Sequence, residues 1–74
     1  MFLVLAFFEV ACPDRAELAA WAGSVIELVG KSADAETITG EFSGLVWRIG
    51  SFDAALEMRR HLNKHGVTAS LREQ

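Results

Sequence analysis

The sequence predicts an α+β fold, a βαββαβ chain whose four strands form one antiparallel sheet with two helices on one face. Three patterns point to it. An unbroken apolar run opens the chain. Two later segments carry apolar residues at helical spacing between recognisable caps. The segments between and after them alternate apolar with polar residues, as half-buried strands do. A length of 74 residues allows one domain.

The first strand is expected over residues 2–10. Side chains alternate along a strand, so Phe2, Val4, Ala6, Phe8 and Val10 share one face and Leu3, Leu5 and Phe7 the other. Both faces are apolar, whereas a strand wet on one side would alternate. The first helix is expected over 13–30. Pro13 suits a first helical position, and Asp14 and Glu17 favour the positive end of the helix dipole. Leu18, Trp21, Ala22, Val25 and Val29 form its apolar stripe, widened by Ile26 and Leu28, and Gly30 stops it.

Residues 31–34 read as a loop. Residues 37–42 and 45–49 alternate as two strands, with Ser43-Gly44 as a two-residue hairpin turn. That turn sets Phe42 opposite Leu45, Gly40 opposite Trp47 and Ile38 opposite Ile49, so the large apolar groups share a face. Ser51 is an N-cap with Asp53 in the first turn of a second helix over 52–65. Phe52, Ala55, Leu56 and Leu62 make its stripe, Met58 flanks it, and Arg59 snorkels to the edge. Gly66 ends it. Val67, Ala69 and Leu71 alternate with Thr68, Ser70 and Arg72 as the last strand.

Two crossovers joined by a hairpin give the split βαβ, or ferredoxin-like, arrangement with strands one and three in the centre. Its open face would carry Leu3, Leu5, Phe7, Val46 and Arg48 between polar flanks, the anatomy of an interface. Oligomerisation is a further expectation, because 74 residues bury little surface and 51% of them are hydrophobic.

Composition excludes several classes. The net charge is −3 and the basic residues are dispersed, against the basic face of a nucleic-acid module. The aromatic signature of an RNA-binding domain of this topology is missing from the third strand. The opening run is shorter than the roughly 20 residues of a membrane span and has no basic residues before it, as an export signal would. A single cysteine forms no internal disulfide and fits a reducing, cytoplasmic setting.

Candidate chemistry is sparse. Cys12 at the start of the first helix would see the positive dipole end, which favours a reactive thiolate; a small residue tolerated at a cap is the alternative. His61 and His65, four apart, share a helix face, and the expectation is a pair of solvated surface residues opposite the apolar stripe rather than a metal site. Glu9 is expected near Arg48, as a salt bridge or a polar group at a pocket mouth. No catalytic set, metal or cofactor is expected.

Trp47-Arg48-Ile49-Gly50-Ser51-Phe52, followed by Ala55, Leu62 and Gly66, resembles half of a SPOR domain, the bacterial peptidoglycan-binding module of this same fold. The resemblance covers less than half of the chain and implies a glycan-binding module. The residues themselves point first to a cytoplasmic, non-enzymatic domain. It would dimerise through the open sheet face or an edge strand and bind a protein or small apolar ligand, with no nucleic acid and no membrane. A small enzyme of the dimeric α/β-barrel type, with a pocket between two sheets, is the alternative class.

Overall fold

The computed structural model describes residues 1–8, 14–30, 36–38 and 43–74. Six elements follow one another: β1 (Phe2–Phe8), α1 (Arg15–Val29), β2 (Glu36–Ile38), β3 (Ser43–Ile49), α2 (Phe52–Lys64) and β4 (Thr68–Glu73). The order is the expected βαββαβ, consistent with a ferredoxin-like α+β fold. Three long antiparallel strands, β3, β1 and β4, form the body of the sheet. At the β3 edge β2 adds only three residues, completing the order β2-β3-β1-β4.

The register of β1 separates its two apolar sets. Val4 lies between Trp47 and Leu71, and Ala6 between Leu45 and Ala69. This face meets both helices. Val4, Ala6, Leu45, Trp47 and Ile49 are buried against Val25 of α1 and Ala55 and Leu62 of α2. Trp21, Ala22, Ile26, Leu28 and Val29 pack round that centre from α1, and Met58 from α2. Phe8 meets Trp21 edge to face, with ring centroids 5.3 Å apart.

The caps explain the helix limits. Asp14 is the N-cap of α1, its Oδ1 accepting the Glu17 N–H at 2.8 Å, so the helix begins at Arg15, two residues after the expected start. Pro13 lies outside the described residues. Gly30 closes α1 in the left-handed conformation, φ 67°, and donates its N–H to the Ile26 carbonyl. Ser51 caps α2 as expected, accepting the Ala54 N–H. Phe52, however, stands outside the core: it is 49% exposed and touches Phe2 edge to face at 5.4 Å.

The hairpin departs most from expectation. Ser43 and Gly44 belong to β3 and do not form the turn. Ile38 pairs with Gly44 instead of Ile49, and Thr37 with Leu45. The pairing slips by five positions. Five is odd, so the alternation of β2 against β3 is reversed, as any odd slip of a period-two strand requires. Gly44 is used for close approach: a Cβ there would collide with the Ala6 carbonyl. Residues 39–42, and with them the expected contact of Gly40 with Trp47, lie outside the described residues.

Candidate interaction surface

The sheet has one face away from the helices, and β1 builds its centre. Leu3 lies between Arg48 and Arg72, Leu5 between Val46 and Ser70, and Phe7 between Gly44 and Thr68. The residues singled out for this face, Leu3, Leu5, Phe7, Val46 and Arg48, are therefore brought together as the alternation of β1 implies. Glu9 and Cys12 lie outside the described residues.

This face is not the bare apolar stripe that the alternation suggests. Leu5 is only 8% exposed and Val46 only 7%, within a single chain. Leu3 and Phe7 are half-buried, while Arg48, Thr68 and Arg72 are exposed. The Ser70 Oγ beside Leu5 is shielded and has no hydrogen-bond partner. The middle of the face is thus dry already, and little apolar area there awaits a second molecule. Among the described residues the exposed large apolar groups are Met1 and Phe52.

The edge formed by β4 is different. Here the direction of each backbone group follows from two contacts. The Gln74 N–H donates to the Met1 carbonyl at 2.9 Å, making that pair a hydrogen-bonded one. Hydrogen-bonded and non-hydrogen-bonded pairs alternate in an antiparallel ladder, so Arg72, Ser70 and Thr68 direct their backbone groups at β1. Ala69, Leu71 and Glu73 direct theirs outward, away from the sheet. The second contact agrees: the Ala69 N–H donates to the Asn63 Oδ1 at 3.2 Å. Asn63, in the last turn of α2, therefore closes the first outward donor of β4. Among the described residues Leu71 and Glu73 have no strand neighbour on that side. The edge position of β4 follows from the expected strand order, but its asparagine was not apparent from the sequence. Strand order alone places β4 at a margin, but nothing in the residue string ties Asn63 to Ala69.

His61 is exposed, as expected, but its place on the helix is not the expected one. It does not stand opposite the apolar stripe. Its Nε2 lies 3.3 Å from the Leu28 carbonyl of α1, and its ring lines a groove with Leu28, Val29, Glu57 and Met58. No helix among the described residues is long and apolar enough to cross a membrane. No family model, curated protein or solved structure matches this chain, the SPOR family included.

Proposed function

We propose that this chain is a small non-enzymatic interaction domain of the cytoplasm that self-associates by pairing the outer edge of β4 with β4 of a second copy. One observation carries the reading. β4 is an edge strand with outward backbone groups at Leu71 and Glu73, while the centre of the open face is already covered. An uncovered strand edge is a template for another strand.

Charge and the outward hydrogen-bonding groups select the register. An axis at Arg72 would set two arginines opposite each other, which is destabilising. An axis at Ser70 would set Leu71 against Ala69, whose N–H is taken by Asn63. An axis at Leu71 sets Arg72 opposite Ser70 and leaves the Leu71 pair and the Glu73 N–H to Ala69 carbonyl bonds free to form. Such a two-fold contact uses the same surface on both copies. It forms four backbone bonds at roughly 1 kcal/mol each, so the association is weak, near the millimolar range, unless other contacts join it.

Asn63 sets the strength. Freeing the Ala69 N–H lets each copy donate one more bond, to the Glu73 carbonyl of the other, so Asn63→Ala should tighten the dimer by about tenfold or more. Glu73→Pro removes an outward N–H at a position where an edge strand tolerates proline, and should abolish pairing. Sedimentation equilibrium over a wide concentration range tests both. A wild-type chain that stays monomeric at millimolar concentration, or a Glu73→Pro variant that dimerises like the wild type, would overturn the proposal.

A further inference from the structure

His61 and His65 sit one turn apart at the C-terminal end of α2, and both are exposed. Their ring centroids are 4.5 Å apart. Each ring is anchored through one nitrogen on a backbone carbonyl: His61 Nε2 on Leu28, at 3.3 Å, and His65 Nδ1 on His61, at 2.9 Å. A carbonyl oxygen only accepts, so each anchored nitrogen is the N–H and each neutral ring keeps its lone pair on the other nitrogen. The free lone pairs are Nδ1 of His61 and Nε2 of His65.

We propose that these two imidazoles form a binding site for a late first-row divalent cation, zinc foremost, ligated through Nδ1 of His61 and Nε2 of His65. The inference is independent of how the chain self-associates. Metal-ligating histidines characteristically donate their other ring N–H to a carbonyl or carboxylate, and both rings already do so. The spacing also fits. With a zinc–nitrogen bond of about 2.0–2.1 Å the metal lies about 3.2 Å from each ring centre, so ligands at roughly 90–110° put the ring centres roughly 4.5–5.2 Å apart. The observed 4.5 Å lies at the near-90° end of that range.

The location helps in one respect and hinders in another. The C-terminal end of a helix is the negative end of its dipole and favours a cation. Lys64, in the same turn, and Arg60 oppose it and keep the affinity modest. Among the described residues no group of three histidine, cysteine, aspartate or glutamate side chains surrounds a metal position. The cation therefore keeps water in its remaining positions. Because His61 reaches across to α1, a metal on Nδ1 polarises the Nε2–H and strengthens its bond to the Leu28 carbonyl. Metal binding should thus tighten the seam between the helices.

The test uses untagged, chelator-stripped protein titrated with zinc chloride, with magnesium chloride as the control. Calorimetry is expected to show saturable binding of one zinc per chain that weakens as the pH falls, because protons compete for the imidazoles. At ten times the dissociation constant the unfolding midpoint should rise by roughly 6–11 °C. Nitrogen-15 spectra should shift Nδ1 of His61 and Nε2 of His65. His65→Gln and His61→Gln should each weaken binding by tenfold or more, the latter with an amide able to donate to the Leu28 carbonyl. No saturable zinc binding, equal binding by magnesium, or zinc binding that survives either substitution in a folded variant would overturn the proposal.

Discussion

Shortening Leu5 to alanine separates a residue that holds one chain together from one that waits for a partner. Leu5 is 8% exposed in the single chain, flanked by Val46 and Ser70 across the two neighbouring strands. Removing buried leucine atoms costs about 2–5 kcal/mol, the larger values arising where surrounding groups cannot collapse into the gap. Leu5 faces away from the helices, where neighbouring side chains have room to relax, so the lower half of that range applies, about 2–3 kcal/mol. A domain of 74 residues has about 4–11 kcal/mol in all, so this loss lowers the unfolding midpoint by roughly 10–20 °C. The assay is thermal unfolding followed by tryptophan fluorescence at two protein concentrations well below the association range. The loss should be the same at both, because it arises within one chain. A Leu5→Ala midpoint equal to the wild type would return Leu5 to the interface.

Further predictions concern the core, the caps and the hairpin. Gly44→Ala should destabilise the chain by several kcal/mol or prevent folding, read by circular dichroism, because the added methyl meets the Ala6 carbonyl. Trp47 is 1% exposed and its indole N–H is buried with no partner, so Trp47→Phe sheds an unsatisfied donor along with some packing. It should cost under about 1.5 kcal/mol in chemical denaturation, where Trp47→Ala should cost about 3–5 kcal/mol. Asp14→Ala removes the cap on the Glu17 N–H and should lower stability by about 1 kcal/mol, with faster amide exchange in the first turn of α1.

The alternation of β1, the stripe of α1, the Ser51 cap and the stop at Gly30 were legible because each rests on local chemistry. So was the division of β1 into a helix-facing and an open set, which follows from period two alone. The hairpin was not legible. A glycine after serine signals a turn, yet it equally marks a strand position pressed against a neighbouring backbone, and only the third dimension distinguishes these. Phe52 misled for a related reason: at the first position of α2 its ring falls beyond the core and finds Phe2 instead. Leu5 and Val46 were placed on the correct face, but their burial depends on what surrounds them. The outward groups of β4, the Asn63 contact and the reach of His61 to α1 join residues between 6 and 33 positions apart, beyond any local signal.

Amide hydrogen exchange at Leu71 as a function of protein concentration reports on pairing of the β4 edge at the residue that would form it. In the isolated chain its N–H points away from β1 and has no strand neighbour among the described residues, so in dilute solution it should exchange rapidly. Pairing of β4 with a second copy should protect Leu71 and Glu73 progressively as concentration rises, while Ser70 and Arg72, bonded to β1, stay protected throughout. Concentration-independent exchange at Leu71, in solutions where sedimentation shows dimers, would contradict the account.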